Sequence, residues 1–239
     1  MAASALARQQ LELDILPPLR TRDEIIHRYR HVREVSRRIN NGLLELVSGN
    51  AIIKQAQKLG LTLGRTVLLD SEDQMAFLFD LAIYTAPPDR TRAIDRYAKT
   101  ARLESGSDEA RVFEAMRNAR FVLGTVERRH KMAGLIIGDA LRQTDFWLMD
   151  EGLESSVENG TILATRVFTP DEFSVTCGVM MPIDLAIVKE VIAEVWPRLK
   201  NRTLEEVCND RRFAEAIYRT AMAYGVMDEI GFRYPTSDD

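Results

Sequence analysis

Residues 173–181 have the sequence FSVTCGVMM, in which apolar residues alternate with small or polar ones. The apolar side chains fall on every second position, at Phe173, Val175, Cys177, Val179 and Met181. This two-residue period is typical of a β-strand with one buried face. We therefore predict a strand here, and it is the clearest strand signal in the chain.

Four more strands are predicted upstream of this one. They cover 121–128, 134–139, 145–150 and 161–168, with turn signals at Gln143 and at Asn159 followed by Gly160. Short links between successive strands favour antiparallel neighbours. Five short antiparallel strands are expected to curl into a small barrel or a strongly bent sheet, because closure removes exposed edges.

Helical patterns precede the predicted strands. Thr21 and Glu24 have the spacing of a capping box, and the apolar residues that follow recur with a helical period. Further helices are predicted over 51–59, from Ser71 onward, over 90–102 and over 108–119. Gly60 is placed to end the first of these, and Ser71 to cap the second.

Two helices are predicted after the strands, one capped by Asp184 and one in a segment that opens with a second capping box at Thr203 and Glu206. The sequence therefore predicts an α+β fold. Its parts are a loosely held arm over 1–20, a helical layer over 21–119, a five-stranded antiparallel β-barrel or bent sheet over 120–182, C-terminal helices over 183–232, and a tail over 233–239.

The composition is that of a soluble globular protein. Of 239 residues, 46% are hydrophobic and 28% are charged. No apolar run approaches the ~20 residues needed to cross a bilayer. The first residues lack the basic and apolar segments of a secretory signal, so we expect a cytoplasmic location. Cys177 and Cys208 have no C-x-x-C spacing, which excludes a disulfide framework and a zinc knuckle.

Charge is unevenly distributed along the chain, although the net charge is only −4. Residues 21–48 carry six arginines against four acidic residues, and residues 89–131 carry eleven basic against seven acidic residues. Residues 133–182 carry two arginines against eight acidic residues. We expect an anionic partner to prefer the first half of the chain.

The familiar nucleotide and hydrolase motifs are absent from the sequence. No Gly-Lys pair exists, which excludes a Walker A loop, and no G-x-G-x-x-G or G-x-S-x-G is present. Gly60 and Gly64 are better explained as a helix stop and a turn than as a phosphate loop. Cys177 lies in phase with the buried side of its strand, which favours a small hydrophobic role over a nucleophilic one.

The spacing that most resembles a metal site is HRYRH, which places His27 and His31 one helical turn apart, with Glu34 on the next turn. On a helical wheel these residues face away from the apolar stripe, so we interpret them as part of a solvated face without a bound metal. The acidic residues Asp70, Glu72 and Asp73 are interpreted as partners of a helix dipole, and not as a magnesium site.

Nucleic-acid binding is suggested by two features. Residues 51–68 resemble an imperfect helix-turn-helix, with the turn at Leu59 and Gly60, although the second helix would be short and would contain Gly64. Five arginines of the first helix are candidate phosphate contacts, namely Arg28, Arg30, Arg33, Arg37 and Arg38. An ordinary helix end and a solvated basic face are the alternative interpretations.

A protein-binding surface is predicted on the β region. Phe146 and Trp147 are adjacent, so one of them is expected to face outward. Acidic residues surround them at Asp139, Asp145, Asp150 and Glu151. An aromatic residue within an acidic rim suits a protein partner with basic residues.

The β region also resembles known sequences, through the segments RFVLGTVERR, AGLIIGDAL, FWLMDEGLESS and NGTILATRVFTPDEFSVTCGV. It is similar to a β-rich module of uncharacterised bacterial proteins, in which the module follows a helical segment. The resemblance implies an α+β fold and a bacterial, cytosolic setting, and it supplies no catalytic residue. Some of those proteins end in a zinc-binding tail, which this chain does not have.

These observations favour a non-enzymatic interaction or regulatory protein that binds a protein partner and needs no cofactor, since no nucleophile, base and orienting group occur together. The first alternative is a nucleic-acid-binding regulator. The second is an enzyme that uses Glu72, Asp73 or the His27 and His31 face.

Self-association is also expected through the C-terminal helices, because the chain has more apolar side chains there than a thin β layer can bury. The side chains concerned are Met180, Met181, Trp196 and the stripe from Val188 to Val195.

Overall fold

A computed structural model describes residues 21–87, 90–199, 202–203, 206–207 and 210–226. The predicted arm and tail lie outside the described residues. The described elements are α1 (Arg22–Glu45), α2 (Gly49–Leu59), β1 (Thr62–Leu63), β2 (Thr66–Val67), α3 (Glu72–Tyr84), α4 (Ala93–Thr100), α5 (Asp108–Arg117), β3 (Arg120–Arg129), β4 (Leu135–Asp139), β5 (Thr144–Leu148), α6 (Glu151–Ser156), β6 (Ile162–Phe168), β7 (Val175–Ile183), α7 (Leu185–Leu199) and α8 (Arg211–Ala223). The α+β class is confirmed.

Helix α1 begins as its sequence predicts. The Glu24 N–H donates to Thr21 Oγ1 at 3.2 Å, and the Thr21 N–H donates to Glu24 Oε2 at 3.0 Å. These reciprocal bonds satisfy donors that a helix start leaves open. One face of α1 is buried against α4 and α5, through Ile25, Val32 and Ile39 among others.

Of the two interpretations of residues 51–68, the imperfect helix-turn-helix is wrong and the ordinary helix end is confirmed. Helix α2 does end at Gly60, in the left-handed conformation at φ 77°. The segment after it forms the β1–β2 hairpin, in which Thr62 pairs with Val67 and Gly64 makes the turn at φ 63°. β-branched residues around a glycine turn favour this hairpin over a second helix. The segment therefore offers no recognition helix.

The five-stranded antiparallel sheet has the order β5-β4-β3-β6-β7 and is not closed, so the barrel alternative is wrong. Its two edges are joined around Ser174, whose N–H donates to Trp147 O at 2.7 Å and whose carbonyl accepts from the Met149 N–H at 2.9 Å. A contact between opposite edges requires the sheet to curl. Register shifts in the β3–β4 and β6–β7 pairings interrupt the regular ladder.

The strand boundaries lie within two residues of the predicted ones, and both predicted turns are present. Gln143 adopts φ 53° and Gly160 adopts φ 86°. Helix α6, between β5 and β6, was not predicted, since six residues are too few for a helical period to show. Asp150 caps α6 by accepting the Leu153 N–H at 3.1 Å.

The C-terminal helices cover one side of the sheet. The Ile187 N–H donates to Asp184 Oδ1 at 2.9 Å, and Thr203 and Glu206 exchange the bonds of a capping box, as predicted. In the predicted self-association surface, Met181 is buried inside the chain, whereas Trp196 is 44% exposed. Self-association stays a prediction.

A buried ion pair joins three parts of the fold. Arg166 of β6 donates from Nε to Asp80 Oδ1 at 2.8 Å and from Nη2 to Asp80 Oδ2 at 3.1 Å. The hydroxyl of Tyr218 in α8 donates to Asp80 Oδ2 at 2.9 Å. Asp80 lies in α3, so this cluster connects the helical layer, the sheet and the last helix. The Tyr218 ring stacks on Phe77 with 4.6 Å between centroids.

Removing Asp80 should destabilise the protein strongly. An Asp80→Ala variant leaves the Arg166 charge buried without its partner, and we expect a loss of about 3–5 kcal/mol in the free energy of unfolding. Urea denaturation measures this loss. The control is Glu34→Ala, which breaks an exposed pair with Arg38 and should cost less than about 1 kcal/mol. Equal losses in the two variants would contradict the role assigned to the buried pair.

Candidate functional site

A cavity in the described part of the chain has a volume of about 990 Å³. It lies where the segment after α3, helix α4, the junction between α5 and β3, strand β6 and the residues around the start of α8 meet. This size lies in the range of small-molecule sites. Tyr84, Phe121 and Ala214 supply apolar surface, and the rest of the wall is mainly polar.

Arginine dominates the charge of this cavity. Among the described lining residues, three are acidic, namely Asp95, Glu206 and Asp210. Eight of the described lining residues are arginines, namely Arg90, Arg92, Arg117, Arg120, Arg142, Arg166, Arg202 and Arg211. No lysine occurs among the described lining residues. The planar guanidinium group matches carboxylate and phosphate oxygens in a bidentate manner, which a lysine ammonium cannot do.

Arg120 and Arg142 share one carboxylate. Arg142 Nη1 donates to Asp139 Oδ2 at 2.9 Å, while Arg120 Nε lies 4.0 Å from the same oxygen. Asp139 is fully buried and also accepts the Leu141 N–H through Oδ1 at 3.0 Å. Arg120 Nε is buried without a hydrogen-bond partner. One carboxylate thus serves two guanidinium groups, and Arg120 is the less well compensated of them.

The environment of Arg120 disfavours its charged form. Burial, together with the neighbouring Arg142 guanidinium, lowers the pKa of Arg120 from its ordinary value, and Asp139 offsets this only in part. Arginine does not lose its proton in proteins, so the cost remains as unfavourable free energy in the fold. The guanidinium also lies over the Phe146 ring, 5.1 Å from its centroid.

Arg92 and Arg117 form a second pair around Asp95. Arg92 donates to both Asp95 carboxylate oxygens, at 2.7 and 3.0 Å, and Arg117 Nε lies 3.5 Å from Oδ1. The bond from Arg92 holds the pKa of Asp95 below its usual value. Arg117 Nη1 also donates to Glu114 at 2.7 Å, but its Nε is buried without a hydrogen-bond partner.

Arg166 forms part of the cavity wall, with its charge already neutralised by Asp80. Its guanidinium carbon lies 5.1 Å from the Tyr84 ring centroid and 5.6 Å from that of Phe121. The residue is only 6% exposed. It is therefore a fixed wall, and Arg120 is the more available cation.

A second cavity, of about 560 Å³, adjoins the first through shared residues. Asn118 and Arg120 line both cavities. Arg111, Thr169 and Pro170 line the second one. Arg120 therefore borders both cavities.

The arginines predicted to contact nucleic acid are mostly engaged within the chain. Arg28 bonds to Asp108 and Asp171, Arg30 to Glu151, Arg33 to the Thr176 carbonyl and Arg38 to Glu34. Arg37 is exposed. None of the five lines the large cavity, and nucleic-acid binding through them stays a prediction.

The predicted partner surface is partly internal. Trp147 donates from Nε1 to Ala133 O at 2.7 Å, and its ring stacks on His130 at 4.0 Å between centroids. Phe146 is half-buried, and Asp145 is exposed. Of the other acidic residues, Asp150 caps α6 and Glu151 pairs with Arg30. Partner binding here stays a prediction.

The candidate metal ligands do not form a site in the described part of the chain. His27, His31 and Glu34 are exposed, and His31 Nε2 is bonded to Asp108 at 2.7 Å. Among the described residues, no three or more histidine, cysteine or acidic side chains are grouped to hold a metal ion. Glu72 and Asp73 lie in the first turn of α3, just after its cap Ser71, as predicted.

Sequence reasoning missed the cavity residues. The excess of basic residues over 89–131 was visible, and it contains Arg92, Arg117 and Arg120. Arg142 and Arg166 lie in the acidic stretch over 133–182, where they are the only basic residues. An isolated arginine within an acidic region was the signal that could have singled them out.

The structure is that of an α+β protein with an arginine-lined cavity. The chain belongs to a family of unknown function, DUF7986, which matches residues 23–228. No curated protein and no solved structure matches the chain. In the described residues, no helix has both the length and the apolar character needed to cross a membrane.

Cys177 should be a poorly reactive thiol. Burial raises its pKa to about 12, so little thiolate exists at pH 8. In a Cys208→Ser variant, we expect Cys177 to react with a disulfide reagent at least about 100-fold more slowly in the folded protein than in urea. Ellman's assay measures both rates. Similar rates in the two states would show that the thiol is accessible and ionised.

Proposed function

We propose that this protein binds a small anionic molecule in the arginine-lined cavity, and that ligand binding is its function. The observation that carries the proposal is the position of Arg120. This guanidinium lines the cavity, shares the Asp139 carboxylate with Arg142 and has a buried Nε without a hydrogen-bond partner.

Because Arg120 Nε is buried, an anion would act on the exposed part of the guanidinium. A bound phosphate or carboxylate oxygen would compensate the charge and accept bonds from the guanidinium. About 31% of the Arg120 side chain is exposed, so a ligand in the cavity can reach it. An arginine kept at some cost in stability is characteristic of a functional site.

The cavity favours a small ligand over a duplex. Its lining arginines come from separate elements that surround a volume of about 990 Å³, whereas duplex binding needs an exposed basic surface that follows the phosphate backbone. Arg28, Arg30, Arg33 and Arg38 are engaged within the chain, which supports the same choice.

A regulatory role with a protein partner is the second candidate, and one contact favours it. Arg120 lies over Phe146, which belongs to the aromatic and acidic surface predicted to bind a partner. A ligand that bonds to Arg120 would change the interactions of this ring. Partner binding at Phe146 and Asp145 would then depend on whether the cavity is occupied.

Anions should stabilise the folded protein through Arg120. We compare low millimolar concentrations, at which the general stabilisation by phosphate excluded from the protein surface is small. We expect the melting temperature to rise with sodium phosphate more than with sodium chloride of equal ionic strength, because a bound ligand stabilises by mass action. At a phosphate concentration of 100 times Kd, binding would raise the free energy of unfolding by about 2.7 kcal/mol. Thermal unfolding followed by circular dichroism measures the shift.

Two variants test the assignment. Arg120→Gln should lose most of the phosphate-dependent rise in melting temperature. Without phosphate, the free energy of unfolding of this variant should differ from that of the original protein by less than about 1 kcal/mol, because the ion pair of Arg120 with Asp139 is long. The matched control is Arg65→Gln, at an exposed position of the β1–β2 hairpin that does not line the cavity. Identical melting curves in phosphate and chloride would refute the proposal.

A further inference from the structure

The cavity contains two arginine pairs, each built around a single aspartate. Arg120 and Arg142 share Asp139, and Arg92 and Arg117 share Asp95. All four arginines line the same cavity. We infer that the ligand carries two anionic groups, of the phosphate or carboxylate class, one held by each pair. This inference rests on the proposed function and specifies its ligand.

Each pair has one incompletely bonded guanidinium group. The buried Nε atoms of Arg117 and Arg120 have no hydrogen-bond partner. Their side chains are 34% and 31% exposed, so the chain leaves part of each group available in the cavity. The second member of each pair is well fixed, since Arg142 and Arg92 each bond to the shared aspartate and to a main-chain carbonyl.

The charge balance supports one anionic group at each pair. Asp139 is fully buried and carries one negative charge, and Arg120 Nε lies 4.0 Å from its Oδ2. At the other pair, Arg117 has a further partner in Glu114, but that side chain is 56% exposed and its attraction is screened by water. A ligand oxygen inside the cavity would interact with Arg117 in a less screened environment.

The two arginine pairs are close together along the chain. Arg117 ends α5 and Arg120 begins β3, so only Asn118 and Ala119 separate them. Three residue steps span at most about 11 Å between Cα atoms, and all four arginines line one cavity of about 990 Å³. Because both pairs face this one cavity, the two anionic groups should belong to one small molecule, such as a diphosphate or a compound with a phosphate on each end of a short chain.

The test compares ligands that differ in the number of anionic groups. Isothermal titration calorimetry with the full chain would use hexyl phosphate, hexane-1,6-diyl bisphosphate and inorganic pyrophosphate at constant ionic strength. We expect at least one of the two-group ligands to bind 10-fold or more tightly than hexyl phosphate. The ratio of the Kd of hexyl phosphate to the Kd of the two-group ligand should fall towards one in Arg92→Gln and in Arg117→Gln. The ratio should stay high in the control Arg65→Gln.

The outcomes separate this inference from the proposed function. If hexyl phosphate binds and neither two-group ligand binds more tightly, the cavity takes a single anion, so the inference is wrong and the proposed function stands. If the advantage is present but Arg92→Gln and Arg117→Gln retain it, the second pair is not the second subsite, and the inference is again wrong. If none of the ligands binds, the proposed function itself fails. Circular dichroism of each variant shows whether it is folded.

Discussion

The burial of the Arg166 charge is the constraint on which the rest of the structure depends. An arginine inside a protein core is tolerated only when a carboxylate and further polar groups meet it with good geometry. Both carboxylate oxygens of Asp80 accept bonds from Arg166, and the Tyr218 hydroxyl donates to Oδ2 of the same carboxylate. Because the three residues lie in β6, α3 and α8, the sheet, the helical layer and the last helix must reach their final arrangement together.

The same pair determines what the cavity can do. Arg166 stands in the cavity wall with its charge already matched, so it shapes the space without attracting a ligand strongly. The cations that remain incompletely matched lie at the junction of α5 and β3, where Arg117 and Arg120 flank Asn118 and Ala119. The cavity thus has a fixed wall at Arg166, where the charge is balanced. At the junction of α5 and β3, the positive charge is only partly balanced by neighbouring carboxylates.

Local patterns in the sequence were sufficient to predict most elements. Capping at Thr21 and Ser71, the stop at Gly60 and the turns at Gln143 and Gly160 depend on neighbouring residues, and all are present. The hairpin after Gly60 and the short helix α6 were missed, because neither is long enough to show a period. Whether five strands close depends on their register, which no local pattern gives. The arginine pairs were missed for a related reason: Asp139 and Arg120 meet only across two paired strands.

The contact around Ser174 has a consequence for how copies of the chain behave at high concentration. An uncovered strand edge is a template on which another molecule can add a strand, and this is a common start of aggregation. Here the end of β5 and the approach to β7 use each other's backbone groups, through the bonds of Ser174 to Trp147 and Met149. The curl of the sheet therefore shortens both edges at once, and it leaves less backbone for intermolecular strand addition than a flat five-stranded sheet would present.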